Sequence, residues 1–229
     1  MKTIGMIGGT GWVSTIDYYK LINEGINERL GGLNYARCIL YSLDYGDIAR
    51  LNKAQDMKGL LDLIINAAEK LNIAGAECIL LCANTMHRFA GQVSAAVPLP
   101  LIHIAEATAS EIQEDKFTTV GLLGTRQTME LDFYKSKLAE AGISTITPNP
   151  EERTFVDNTI TNELLKNIFT EGAIKEFLKI IDNLVQRGAQ GIVLGCTEIP
   201  LLIKQSDTSV KVYHTTSIHA NAAVNFALS

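Results

Sequence analysis

No apolar run in the chain approaches the roughly 18 consecutive residues that a membrane-spanning helix needs. No basic stripe is present either. Twenty Lys and Arg stand against twenty-five Asp and Glu, a formal charge of -5, with a pI near 5.4. That balance argues against a nucleic-acid surface. Cysteine is scarce: Cys38, Cys78, Cys82 and Cys196 are the only four, three lie in apolar runs, and none has metal-ligand spacing. A disulfide framework is a poor reading of them, and a reducing cytoplasm fits best. The four histidines, His87, His103, His214 and His219, form no pair at helical metal spacing, so no metal centre is expected. Low-complexity and linker-like stretches are missing, and Met1-Lys2-Thr3-Ile4-Gly5 reads as a first strand rather than a secretory leader. What remains is an ordinary globular composition, 47% hydrophobic and 20% charged over 229 residues. That is one large domain or two small ones, with ample core.

Short apolar runs alternate with longer amphipathic ones. Thr3 to Ile7, bounded by Gly8-Gly9, reads as a buried strand. The spacing predicts a helix after it, capped by Ser14 or Thr15, ended by Gly31-Gly32, with Tyr19, Ile22, Ile26 and Leu30 on one face. Further strands are expected at Arg37–Ser42, Cys78–Cys82, Leu99–Ile104, Thr118–Leu123, Ile143–Thr147, Gly191–Gly195 and Val210–Tyr213. Helices are expected near 56–73, 105–114, 127–141, 172–187 and 215–228. This alternation predicts an α/β protein with parallel, helix-covered sheets.

The chain also repeats itself. Thr3-Ile4-Gly5-Met6-Ile7-Gly8 matches Thr119-Val120-Gly121-Leu122-Leu123-Gly124 at an offset of 116, and Gly75–Leu81 matches Gly188–Leu194 at 113. Each half has an opening strand that ends in a Gly/Thr turn. Each also has a later buried strand that ends in a polar turn, Ala83-Asn84-Thr85 or Cys196-Thr197-Glu198. In open α/β sheets ligands bind beyond the carboxyl ends of strands. Two similar α/β lobes with a ligand cleft between them are therefore expected, here 1–97 with 210–229, and 98–209.

Several motifs invite chemistry. Gly5-Met6-Ile7-Gly8-Gly9-Thr10-Gly11-Trp12 resembles a dinucleotide turn, but Ser14 stands where a late glycine belongs. The repeat at Gly124-Thr125-Arg126-Gln127-Thr128 has no glycine-rich turn. A tight turn whose amides face a small anion is preferred. Cys196 is the strongest nucleophile. It follows a buried strand and precedes a helix start at Glu198-Ile199-Pro200, where the helix's positive end would lower the thiol pKa. Cys38 and Cys78 read as core residues. His87 and His219 lie near helix starts as possible caps. Arg50, Arg126 and Lys166 are candidate carboxylate-binding cations.

Met1–Gly5 through Gly8-Gly9, Asn84-Thr85-Met86-His87, Leu123-Gly124-Thr125 with Thr128-Met129, and Gly195-Cys196-Thr197-Glu198 together resemble the cofactor-independent aspartate/glutamate racemase family. The resemblance covers nearly the whole chain. It implies two pseudo-symmetric flavodoxin-like lobes with the active site between them, a homodimer, and inversion of acidic amino acids without pyridoxal phosphate. Two thiols on opposite faces of the substrate exchange its α-proton in such a reaction. The resemblance further implies that Gly9, Thr10, Asn84 and Thr85 hold the small acidic amino acid from one lobe. Thr125, Thr128, Lys166 and Thr197 would hold it from the other, with no cofactor and Cys196 as one thiol.

The first thiol's place is taken by Ala83, which the repeat independently pairs with Cys196. Cys82 lies one residue earlier, and neighbouring strand residues face opposite ways, so only a local bulge would re-aim it. Val13 and His214 also depart from the acidic residues of close relatives, and His214 could act as an acid or base. Three readings stay open. One is a racemase with one orthodox thiol and a substitute donor. Another is a one-thiol enzyme resembling the arylmalonate decarboxylases. The third is a non-catalytic binder of acidic metabolites, or a protein whose Ala83 was introduced deliberately to trap ligand.

Overall fold

The computed structural model covers residues 1–229 and divides into two compact units, Met1–His103 with His219–Ser229, and Ile104–Ile218. The first unit contains β1 (Ile4–Gly8), α1 (Trp12–Leu30), β2 (Cys38–Ser42), α2 (Tyr45–Lys53), α3 (Met57–Ile73) and β3 (Cys78–Leu81). A 3-10 turn (Asn84–Phe89), α4 (Ala90–Ala96) and β4 (Leu101–Ile102) complete it. The second unit contains α5 (Ile104–Glu114), β5 (Thr119–Gly124), α6 (Arg126–Glu130), α7 (Asp132–Glu140), β6 (Ser144–Ile146) and α8 (Pro150–Asn162). It continues through a 3-10 turn (Leu164–Lys166), α9 (Glu171–Gln186), β7 (Gly191–Gly195), α10 (Ile199–Leu202) and β8 (Lys211–His214). The last helix, α11 (Thr215–Leu228), starts in the second unit and continues in the first. No helix is long and apolar enough to cross a membrane.

The repeat in the sequence is a repeat in the fold. The sheets run β2-β1-β3-β4 and β6-β5-β7-β8, and every pairing is parallel. The registers coincide as well. Ile4 pairs with Cys78 and Ile7 with Leu81, while Val120 pairs with Gly191 and Leu123 with Leu194. These are the partners that offsets of 116 and 113 bring into correspondence.

Both sheets are covered on two faces, so the central strands β1, β3, β5 and β7 are buried, while the edge strands stay partly exposed. On the first sheet, Ile7, Ile79 and Leu81 pack with Leu60, Ile64 and Leu71 of α3. Ile4, Met6, Leu80 and Cys82 pack on the other face with Tyr18, Ile22 and Ile26 of α1 and Ala220, Ala223 and Val224 of α11. On the second sheet, Leu123, Ile192, Leu194 and Cys196 meet Val156 and Ile160 of α8 and Phe177, Ile180 and Leu184 of α9. Val120, Leu122, Val193 and Tyr213 meet α5 and α7 through Ile104, Ile112, Tyr134 and Leu138.

Several expectations are corrected. The lobe boundaries differ because β8 bonds to β7, with Ile192 opposite Val212, so residues 210–218 belong to the second unit. Likewise β4 bonds to β3, with Ile79 opposite Leu101, which draws 98–103 into the first. Helix α1 begins at Trp12 with Gly11 as its cap. Thr15 lies inside the helix, where its Oγ1 donates to the Gly11 carbonyl and accepts from the Gly9 N–H. The buried face of α1 is Tyr18, Ile22 and Ile26, while Tyr19 and Leu30 are exposed. Helices α2, α4 and α8 were not expected. Helix α8 carries a legible signal, an Asn149–Glu152 capping box with Pro150 in its first turn.

Candidate active site

The carboxyl ends of the two central strands in each unit gather the candidate residues, each set within its own unit. In the second unit, Gly124 and Gly195 face each other across β5 and β7. Thr125 caps α6, its Oγ1 accepting from the Thr128 N–H and lying 3.2 Å from the Thr128 hydroxyl. Thr128 is wholly buried. A Cβ on Gly195 would come within 3.0 Å of the Thr128 methyl, so Thr128 buttresses the two strand ends from beneath. Arg126 turns to α8, where Asp157 accepts from its backbone N–H at 2.7 Å. Lys166 ends its 3-10 turn on the exposed surface. Arg50 pairs with Asp47 on its own helix.

Cys196 continues the inward parity of Ile192 and Leu194 and is 7% exposed, against 1% for Leu194. Its thiol donates to Glu198 Oε2 at 2.9 Å, and the Thr197 hydroxyl donates to the same oxygen at 2.7 Å. One carboxylate oxygen thus collects both protons. This overturns the expectation of a lowered thiol pKa. Burial, then the negative charge and hydrogen bond of Glu198, hold the Cys196 thiol well above its ordinary value. Helix α10 has only four residues, too few for a strong macrodipole, and the carboxylate stands in front of it. By sequence Glu198 belongs to a polar turn, a family-like motif and a helix start, none of which gives it a role of its own. Its position two residues after a cysteine was the available clue.

In the first unit, Gly9 adopts φ +82°. A Cβ there would fall 2.1 Å from the Leu43 carbonyl oxygen, so the turn from β1 into Thr10 requires glycine. Ala83, Asn84 and Thr85 follow β3. Asn84 is buried, and Ala83 and Thr85 are half-buried. Strand alternation persists through this end without a bulge. Cys82 packs with Leu80 and Tyr18, whereas Ala83 packs with Ile79 and Leu81. Burial pushes the Cys82 thiol strongly up. Ala83 therefore occupies the register position of Cys196, and Cys82 faces the opposite layer.

Behind that end, His87, His103 and His219 form a buried cluster. The His87 ring centroid lies 4.8 Å from that of His103 and 5.2 Å from that of His219. His219 Nδ1 is 2.8 Å from the Tyr18 hydroxyl, and its Nε2 is 2.8 Å from the Ile102 carbonyl. A carbonyl only accepts, so Nε2 carries the hydrogen and Tyr18 donates to Nδ1. Burial is the first cause that lowers His219 to about 3. Burial, then the neighbouring histidines, holds His87 well below its usual range. No group of three or more His, Cys, Asp or Glu in the chain is placed to hold a metal ion. His214, at the end of β8, accepts from the Ser217 N–H at 3.2 Å and so caps α11.

The Asp/Glu/Hydantoin racemase family model matches residues 7–223. The chain belongs to that family. A crystal structure from Yersinia pestis, provisionally named an Asp/Glu racemase, is 46% identical over the whole of both chains with a TM-score of 0.96. An aspartate racemase homologue from Pyrococcus horikoshii OT3 is 36% identical, also over the whole of both chains, with a TM-score of 0.89. A broad-specificity amino-acid racemase of Bacillus subtilis (strain 168) is 22% identical over 99% of this chain and 98% of its own. Like its structural relatives in the racemase family, the chain builds two α/β units. Within the chain, one strand end carries a thiol bonded to a carboxylate and the end that the repeat pairs with it carries an alanine.

Proposed function

We propose that the chain is an amino acid racemase that works on aspartate or glutamate without pyridoxal phosphate, as a soluble cytoplasmic enzyme and a homodimer. The observation that carries the chemistry is the 2.9 Å bond from Cys196 Sγ to Glu198 Oε2. It couples a proton-carrying sulfur to a base within one turn. At rest the thiol holds its proton, ready to give to a carbanion. To take an α-proton, the thiol first passes its own proton to Glu198, and the thiolate then receives hydrogen from carbon. The family resemblance supports Thr125, Thr197 and Lys166 as substrate contacts on the second unit, and Gly9, Thr10, Asn84 and Thr85 as substrate contacts on the first. Thr128 acts from beneath by holding the strand ends. The acidic substrate is supported by the names of the Yersinia and Pyrococcus relatives.

Ala83 favours a second reading of the same site, a one-sided enzyme. An alanine methyl neither gives nor takes a proton, so inversion needs another donor, whereas exchange at Cys196 does not. Incubating the protein in deuterated water with each enantiomer of aspartate and glutamate separates the two. Racemase action gives α-deuterium in both enantiomers from either starting one. The one-sided enzyme labels the α-position with retention. If wild type and Cys196→Ser give equally little label with every acidic amino acid, the proposal is wrong.

A further inference from the structure

The histidine cluster of the first unit is not needed for the thiol chemistry, yet it reaches the turn where the racemase reading puts substrate contacts. His87 Nδ1 lies 3.0 Å from the Ala83 carbonyl oxygen, within normal hydrogen-bond range. That oxygen can only accept, so this bond requires hydrogen on Nδ1. The ring is 2% exposed. It is walled by His103 and His219, and His219 is pinned from α1 by Tyr18 and from β4 by the Ile102 carbonyl. Three elements thus fix the donor that fixes this carbonyl.

Because the peptide bond is planar, holding the Ala83 oxygen sets the plane that leads into Asn84, and with it the starting direction of Asn84 and Thr85. The second unit is built differently. The offset of 113 that pairs Ala83 with Cys196 pairs His87 with Pro200, whose side chain has no donor, and there the Thr215 hydroxyl donates to the Leu194 carbonyl at 2.9 Å.

We propose that His87 is a positioning residue. Its Nδ1–H clamps the Ala83–Asn84 peptide so that Asn84 and Thr85 are preorganised for the substrate carboxylate. The last clause rests on the racemase reading, while the clamp itself does not.

The test compares His87→Leu, His87→Asn and His87→Gln. An Asn amide places a donor near the old Nδ1, whereas Gln reaches the old Nε2. In α-proton exchange with aspartate and glutamate, His87→Leu is expected to raise KM about tenfold. His87→Asn should return it to within about threefold of wild type, and His87→Gln should not. A merely structural loss would lower the active fraction and leave KM alone. Equal KM in wild type and His87→Leu, or rescue by Gln as good as by Asn, overturns the proposal. A second measurement needs no turnover. Imidazole 15N spectra should show hydrogen on His87 Nδ1, and the Asn84 and Thr85 amide signals should move in His87→Leu and be restored in His87→Asn. Hydrogen on Nε2 alone, or unmoved amides in His87→Leu, refutes the clamp. Absence of exchange in wild type refutes the racemase reading separately.

Discussion

Tyr18 and Tyr134 stand 116 residues apart and occupy the same place in the two units. Each is fully buried on a helix that lies between its unit's first two strands in the chain and covers one face of the sheet. Each phenol donates across to a helix that follows a fourth strand: Tyr18 to His219 of α11 at 2.8 Å, Tyr134 to Thr108 of α5 at 3.0 Å. The strand registers bring α5 and α11 into correspondence too. Leu80 opposes Ile102 and Val193 opposes Tyr213, an offset of 111 that carries Thr108 onto His219. Equivalent hydrogen bonds thus join equivalent helices in the two units, one accepted by an imidazole and the other by a hydroxyl.

The two acceptors differ in what they lose. The Thr108 hydroxyl also donates to the Ile104 carbonyl at 2.8 Å, so Tyr134→Phe leaves it satisfied and should cost about 1 kcal/mol. Tyr18→Phe orphans a buried imidazole nitrogen and should cost about 2 kcal/mol. Urea denaturation of both variants should rank Tyr18→Phe as the less stable. The reverse order contradicts the assigned His219 tautomer.

Most of the frame was legible from periodicity. Apolar runs of four to six residues became β1, β3, β5 and β7 because strands buried on both faces have no polar alternation to lose. The repeat predicted that Ala83 and Cys196 are equivalent, and the strand registers agree. What escaped reading depends on spatial neighbours. Nothing local says that Lys211–His214 joins the sheet of Gly191–Gly195, since a four-residue strand fits either edge by pattern. The helix start after Cys196 points to a lowered thiol pKa, but burial, which no local pattern shows, and then the Glu198 carboxylate outweigh it. For His103 only the lack of metal spacing is legible, since the ring it meets is that of His87.

Gly9→Ala should be among the most damaging single-methyl changes. It combines a left-handed backbone, costing about 1–2 kcal/mol, with a clash against the Leu43 carbonyl costing about 1–3 kcal/mol. Gly31→Ala shares the positive φ but meets nothing within 4 Å, and should lose only the first amount. Thermal melts of the pair provide the comparison, and equal losses would remove the steric argument.

If Glu198 raises the Cys196 thiol pKa, Glu198→Gln should lower it. The thiol should stay above its ordinary value, since burial is the larger cause. Iodoacetamide labelling against pH, with Cys196→Ser as background, reads this directly. A labelling curve that moves to higher pH in Glu198→Gln would show that the carboxylate favours the thiolate instead.

Ala83→Cys restores a thiol at the position equivalent to Cys196. If lack of a second proton carrier limits inversion, the variant should racemise at least tenfold faster while label uptake at the α-carbon changes less. Polarimetry beside deuterium uptake measures both. Parallel changes in the two rates would mean that inversion was never the slow step.

The buried histidines make the first unit acid-sensitive, and the sign is fixed. His219 has its folded pKa lowered from 6.5 to about 3, and His87 is lowered also. The unfolded chain therefore binds protons that the folded chain refuses. The stability this represents is complete above about pH 6.5 and drains as pH falls toward about 3, at up to about 1.4 kcal/mol per pH unit for each histidine. Denaturant midpoints should fall between pH 7 and pH 5. Replacing His219 with Gln keeps a donor for the Ile102 carbonyl and removes the titration. It should lower stability at pH 7 and flatten the slope below pH 6.5. A wild-type midpoint that is level from pH 7 to pH 5 would show that the cluster is already protonated, or that it opens without unfolding.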